Sequence, residues 1–501
     1  MKNIQHDTLD VMRDIANGSP SNQTDPNWLY SRRGFLRSGV AAAAAIAMPF
    51  ELLGARNAVA AQLPYSPDYG PLFDTPDQVT GLNLLRLPQG FKYWSYGWTG
   101  DVMSDGIATP SNHDGMAVVA SDASKIVIVR NHEKSGGAGA FTPSKLTWDP
   151  LAEGGTTNLV FSPRTGQWLG SYASLGGTLT NCAGGPTPWG SWLTCEETSR
   201  GPHTVVNGAN PYTQQHGWVF EVPGFGPANP RPIKPMGAFS HEACAVDPVT
   251  GIVYETEDST PSGLYRYVPT VKGRLERGGK LQMMRLKTPA NANVTIQGVA
   301  YSYFDTGVGF AIGTTWDVEW VDIPEPEKMF ITGTTYGGVR SQGLVQGACS
   351  FRRGEGAWYG NGNIYICSTS GGTAGEGQIF AYDPRRETLT LVYESTGSGV
   401  CDNPDNIAWS PRGSLILCED GGNPVARLHG LTLDGTLFTF AENNVDFSAA
   451  PYARPSGTQF TGDRRGSEFA GATFHNEWLF VAIQTPGITF AITGPWENGA
   501  L

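Results

Sequence analysis

Short apolar runs, each closing on acidic or polar residues, recur along this chain: Ile126–Glu133, Gly190–Glu197, Ile252–Ser259, Asn363–Ser370, Ser414–Gly421 and Glu477–Gln484. Their starts lie 64, 62, 111, 51 and 63 residues apart. Runs of this length, rich in β-branched and aromatic residues and cut by Gly, Pro and Asn, are strands, and no long segment with a 3.6-residue period competes with them. The uneven but recurring interval predicts radial repetition: an all-β, six-bladed β-propeller with insertions, the largest between residues 260 and 350. In that arrangement the repeated strands are expected to be innermost, so that acids far apart in sequence meet at one mouth of the channel. A sandwich or stacked β-domains would leave the same acids scattered.

Composition agrees with many tight turns and aromatic-packed sheets, with 65 Gly, 35 Pro and 14 Trp among 501 residues. Residues 61–501 read as a single propeller domain without a low-complexity linker. Residues 1–60 stand apart. Ser31-Arg32-Arg33-Gly34-Phe35-Leu36-Arg37 precedes an apolar, Ala-rich run from Val40 to Ala47, and Ala58-Val59-Ala60 closes the region on small residues. This pattern predicts a twin-arginine export signal, a chain handled by the twin-arginine export machinery, and a periplasmic or secreted location. The apolar run is too short to cross a bilayer, so no stable membrane insertion is expected.

The formal charge is −12, and because residues 1–60 carry six Lys/Arg and five Asp/Glu, the acidity sits in the remainder. Such a surface excludes nucleic acid and anionic membranes as partners. An anionic substrate would need bound cations or a local arginine to reverse the sign. Seven cysteines are an odd number, so at least one is unpaired. Cys367 and Cys418 lie in apolar strand patterns and read as core; Cys182 sits instead in a Gly/Pro-bent loop.

The stretch from Asn181 to Glu197 sets the Cys182 thiol close in sequence to the Glu196-Glu197 pair. A soft thiolate beside hard carboxylates points to a mixed metal site. A cysteine near two acids is more often core beside surface, so repetition elsewhere has to decide. It is present at Asp114, Glu133, Glu242, Glu257-Asp258, Arg353-Gly354-Glu355, Asp405, Glu419-Asp420 and Glu468. Each alone would be a solvated turn; together they place a carboxylate near the end of most of the predicted strands. Arg353 beside Glu355 is either a salt bridge or a pair in which the guanidinium holds phosphoryl oxygens while the acid holds a metal. No GxxxxGK[ST] loop, nucleophile elbow or HExxH is present, which favours hydrolysis by bound metal.

These motifs resemble the PhoX-type alkaline phosphatases, exported calcium- and iron-dependent phosphomonoesterases. The resemblance runs through Asn112-His113-Asp114-Gly115-Met116, Arg130-Asn131-His132-Glu133, Asn181-Cys182-Ala183-Gly184-Gly185, Cys195-Glu196-Glu197, Ser240-His241-Glu242-Ala243, Glu355-Gly356-Ala357-Trp358, Pro404-Asp405-Asn406 and the tail from Pro486 to Trp496. It implies a six-bladed propeller, Fe3+ and Ca2+ at a channel mouth, and hydrolysis of small phosphomonoesters by a monomer serving phosphate acquisition. Carried over motif by motif, it makes Cys182 the thiolate ligand to iron and Glu197, Glu242, Glu257, Glu355 and Glu468 metal-binding carboxylates. Arg353 and Glu355 become the catalytic pair. Two rivals stay open: a calcium-dependent propeller lactonase or phosphotriesterase, and a non-enzymatic binding propeller with structural calcium.

Overall fold

The computed structural model describes residues 62–205, 211–330, 337–421 and 424–501. The export signal expected in residues 1–60 lies outside the described residues. The chain is all-β: its sheets are antiparallel apart from one short parallel pairing, of Gln62–Leu63 with Leu437–Asn443, and one α-helix, Gly338–Leu344, occurs among the described residues.

Six strands, His113–Ser121, Asn181–Pro186, His241–Val246, Gly354–Gly360, Pro404–Trp409 and Phe469–His475, pack side by side in that order, and the last packs against the first. This closed ring makes the fold propeller-like. Each inner strand starts an antiparallel sheet that runs outward. The sheet begun by Phe469–His475 is completed by Lys92–Tyr96 from the other end of the chain, which pairs with Ile488–Thr493 and so fastens the ring. The sheets begun by His241–Val246 and Gly354–Gly360 are continuous through Thr315–Asp322, which pairs with Gly279–Leu286 on one side and Thr388–Glu394 on the other. The insertion expected between residues 260 and 350 therefore contributes this linking strand, a separate hairpin (Ala292–Ile296 with Val299–Tyr303) and the helix.

The recurring apolar runs are the second strands of these units and not the innermost ones that their pattern predicts. Ile126–His132, Ser191–Glu196, Asn363–Ser368, Leu415–Glu419 and Trp478–Ile483 are buried along their whole length. A strand enclosed on both faces by neighbouring sheets carries a continuous apolar run, which is why these segments dominate the sequence signal. The inner strands are poorer in such residues because they crowd the axis. A Cβ added to Gly356 would lie 2.5 Å from the Asp405 carbonyl oxygen, and one added to Gly115 would lie 2.5 Å from the Ala183 Cα. Only glycine permits that approach.

Each inner strand also carries a bulge within its hairpin. The ladder runs His113 to His132 and then Met116 to Arg130, Asn181 to Glu196 and then Gly184 to Thr194, His241 to Glu257 and then Cys244 to Glu255. It repeats as Gly354 to Ser368 and then Ala357 to Ile366, and as Pro404 to Glu419 and then Ile407 to Leu417. One extra residue on the inner strand breaks the alternation there and re-aims a side chain. The residues occupying the same bulge position are Asp114, Cys182, Glu242, Glu355 and Asp405, with Gly471 in the sixth strand, where the ladder runs Ala470 to Ala482 and then Thr473 to Phe480.

Candidate metal centre

Two positions of the hairpin supply the centre, each in five of the six units. The first is the bulge just described. The second is the residue following the outward-running second strand: Glu133, Glu197, Asp258, Asp420 and Gln484. Because the hairpins pair the start of one strand with the end of the next, both positions fall at the same end of the ring.

Polar side chains on the second strands hold the bulges in place. Asn131 Nδ2 donates to the carbonyls of Cys182 (3.0 Å) and Ala183 (2.7 Å), while its Oδ1 accepts from Trp192 and Thr194. Thr256 Oγ1 accepts from the Ala243 N–H at 2.9 Å and donates to the Glu355 carbonyl at 2.5 Å. Asn112, Thr180, Arg353 and Asn403, each directly before an inner strand, adopt left-handed backbone with φ of 50 to 53°. For Thr and Arg that conformation is strained, and its recurrence at the mouth fits the tendency of such strain to gather at functional sites.

Two groups of donor atoms converge within 4.8 Å of one another, Cys182 with Glu197 and Glu242, and Glu242 with Glu355 and Asp405. Glu242 belongs to both. Around them Gln484 Nε2 donates to Asp114 Oδ2 (3.2 Å) and Glu133 Oε2 (2.9 Å). Glu468 lies beside Asp420, and Glu197 beside Asp258. Burial and then the neighbouring acids push Asp114, Glu197, Glu242 and Glu468 well above the usual carboxylate range. For Glu355, burial and the acids prevail over the lowering effect of Arg353. Glu133 and Asp405 are raised to about 7. Burial and then Glu242 and Glu197 likewise raise the Cys182 thiol, whose sulfur turns to the carbonyls of His241 and Glu242.

Arg353 is the cation that reaches this group. Its Nε donates to Asp258 Oδ1 at 3.0 Å, and its Nη2 to Asp258 Oδ2 at 3.3 Å and Glu355 Oε1 at 2.6 Å. It remains 38% exposed, so its other nitrogens can meet a ligand from solvent.

The structure thus gathers Cys182, Glu197, Glu242, Glu355, Glu468 and Arg353. It does not bring in Glu257. That carboxylate accepts from Arg340 Nη1 (3.2 Å), Gly263 N–H (2.8 Å) and the Tyr265 hydroxyl (2.9 Å), and Asp258 takes its place. The reason is strand alternation, which sends consecutive side chains to opposite faces. The same split occurs twice more: Glu196 pairs with His216 (2.6 Å) and Glu419 with Arg427 (2.7 Å) and His429 (2.8 Å), while Glu197 and Asp420 face the acids. Gln484 is a contributor that charge-based reasoning passes over; its place at the end of the last apolar run was the available signal.

Buried carboxylates crowded together beside one thiol fit a set of bound cations, with sulfur suited to a transition metal and the oxygens to hard ions. A cavity of about 300 Å³ lined by Val119, Pro186, Trp358, Tyr359, Phe474 and His475 lies away from this centre, where the inner strands end.

The sequence profile of the family described as alkaline phosphatase PhoX matches residues 67–171 and 164–487. Among solved structures, the chain is similar to Pseudomonas fluorescens PhoX in complex with vanadate, a transition state analogue, with a TM-score of 0.59 and 17% identity over 88% of this chain and 99% of that one. A catalytically inactive virginiamycin B lyase from Staphylococcus aureus with quinupristin gives 0.35, with 13% identity over 80% of this chain and 99% of that one. A gluconolactonase from Xanthomonas campestris gives 0.36, with 11% identity over 85% and 98%. A comparison with curated proteins finds no match.

Proton linkage tests the reading of the acids as a cation site. Between about pH 4, where an unfolded carboxyl ionises, and about 7, where Glu133 and Asp405 do so in the fold, the metal-free folded state keeps protons that the unfolded chain has lost. Its stability therefore falls as the pH rises through that window. Cations that bind the ionised acids offset this loss. The gain in melting temperature on metal loading should accordingly be larger at about pH 8 than at about pH 5; a gap that stays constant or narrows would contradict the site. With the family profile spanning most of the described chain and the acids gathered at one mouth of a propeller-like ring, the chain belongs to the alkaline phosphatase PhoX family.

Proposed function

We propose that this protein is an exported, metal-dependent alkaline phosphatase that hydrolyses small phosphomonoesters to inorganic phosphate. The observation that carries the reading is the pair of donor groups sharing Glu242, set beside the half-exposed Arg353. In this reading Cys182, Glu197 and Glu242 hold ferric iron, and Glu355, Asp405, Glu468 and their neighbours hold calcium. The chain acts as a single propeller domain from residue 61 onward and as a monomer, released from a twin-arginine signal in residues 1–60 to the periplasm or beyond.

Bound cations supply neutralisation of a dianionic phosphoryl group and a lowered pKa for an attacking water. The protein's own groups prepare for that. Cys182 would give up its thiol proton on ligation, as would the carboxyls held well above the usual range, so that filling the centre would release protons. Arg353 carries two functions. Its contacts with Asp258 and Glu355 keep those acids in place, and its free donors face solvent where a phosphoryl oxygen would sit. A planar fork in that position binds the oxygens more tightly as charge builds in the transition state. Asn131 and Thr256 fix the bulges so that these groups do not have to move during the reaction.

The reading is tested on metal-loaded protein at alkaline pH with a panel of phosphomonoesters, a diester, a triester and lactones. Monoesters should be turned over best and with little regard for the leaving group, and chelation should abolish that activity reversibly. Fastest turnover of a lactone or triester would replace the phosphatase reading with a propeller lactonase.

Cys182→Ser should lose iron, the visible charge-transfer absorption and most activity, because a hydroxyl is a far weaker ligand than a thiolate. Full iron content in that variant would remove Cys182 from the centre.

Arg353→Ala should lower phosphomonoester turnover by roughly 10²-fold with metal content retained, as expected for loss of a donor to the transferring group. Parallel loss of metal would make the arginine a support for Asp258 and Glu355 only.

A further inference from the structure

Cys195 and Cys244 lie just behind the centre. Cys195 is on Ser191–Glu196, the strand leading into Glu197, and Cys244 is on His241–Val246, the strand bearing Glu242. Their sulfurs approach to 3.4 Å, and both residues are fully buried. The two strands belong to different sheets, the first to a three-stranded one and the second to the nine-stranded one, and among the described residues a single isolated bridge, Glu197 to Ser240, ties these sheets at the mouth. All seven cysteines are present as free thiols. Cys182 faces the carbonyls of His241 and Glu242 and takes no part in this pair.

We propose that Cys195 and Cys244 are a disulfide-forming pair that staples the second and third units of the ring together once the folded protein meets an oxidising environment. Closure needs the sulfurs to move from 3.4 Å to a bond length of about 2.05 Å, a shift within reach of small side-chain rotations. Cys244 borders the cavity at the far end of the channel, and because both residues are fully buried a small disulfide reaches them when the strands open locally. The chemistry is thiol–disulfide exchange. Cys244 sulfur attacks the sulfur–sulfur bond of the small disulfide, giving a mixed disulfide and releasing one thiol. Cys195 sulfur then attacks Cys244 sulfur, forming the internal bond and releasing the second thiol. The two protein thiols are oxidised, the oxidant is reduced, and both protons leave on the released thiols.

The staple spans 49 residues of sequence and joins the strands that carry Glu197 and Glu242. It constrains the unfolded chain and keeps those two strands in register when the cations are absent. Its main effect is thus on the metal-stripped protein, with little change in the turnover of the loaded one.

The test uses metal-loaded full-length protein equilibrated with oxidised glutathione, then alkylated in denaturant and mapped by peptide mass. The expected product has Cys195 and Cys244 cross-linked and the other five of the seven thiols alkylated. After chelation the oxidised form should melt several degrees above the reduced form, and Cys195→Ser should abolish both the cross-link and the difference. Because burial could hide the pair, a second sample is unfolded and refolded through the same redox buffer. Alkylation of both Cys195 and Cys244 in the two samples, or a cross-link to any other cysteine, would overturn the proposal. Should Cys195→Ser fail to fold, the wild-type peptide map decides by itself.

Discussion

Mutual repulsion among acids held out of water at one end of a closed ring is the constraint on which the rest of this molecule depends. Asp114, Glu242 and Glu355 are buried, Glu197 and Glu468 are partly so, and these acids crowd one another; among the described residues Arg353 is the basic group that meets them. An arrangement of this kind is unfavourable unless protons or cations compensate it. The fold holds it by rigid means. The sheets stack around the axis, the first and last segments interlock through Lys92–Tyr96 and Ile488–Thr493, and side chains of Asn131 and Thr256 tie the bulges at Cys182 and Glu355 to the preceding units.

The bulge accomplishes at single positions what the regular ladder cannot. In an unbroken inner strand, side chains alternate between the two neighbouring sheets and none points along the axis. One extra residue near the start of the strand turns a side chain toward the mouth, and its repetition at Asp114, Cys182, Glu242, Glu355 and Asp405 makes a convergent set out of residues far apart in sequence. Close approach of the strands is needed for convergence, and Gly115 and Gly356 allow it.

A second layer of charge supports the first. Glu196, Glu257 and Glu419 turn away from the mouth and are met by His216, Arg340, and Arg427 with His429. Burial pulls His216 down, yet Glu196 and Asp149 outweigh it and hold its pKa at about 9, so it stays protonated through neutrality. Anchoring the last residue of a strand in this way fixes the direction of the next one, which is the residue that faces the acids. Each Glu-acid pair is thus divided between holding the frame and building the centre, although the two residues are chemically nearly alike.

The sequence by itself determined the all-β class, the rhythm of the units and the chemical character of the site. Those properties depend on local composition: buried second strands must be apolar throughout, turns require Gly, Pro and Asn, and a thiol with repeated acids is visible in any alignment of a chain with itself. Local pattern made Cys182, Glu197, Glu242, Glu257, Glu355 and Glu468 candidates among other acids, and the family resemblance singled them out; all but Glu257 lie at the mouth. Only the tertiary structure decided that the strongest apolar runs are second rather than innermost, that Asp258 rather than Glu257 faces the mouth, and that Gln484 bridges Asp114 and Glu133. The physical reason is that a shift of one residue in a strand reverses the face a side chain occupies. That register is set by partners such as Arg340 and Asn131 that lie many residues away, and local pattern carries no record of them.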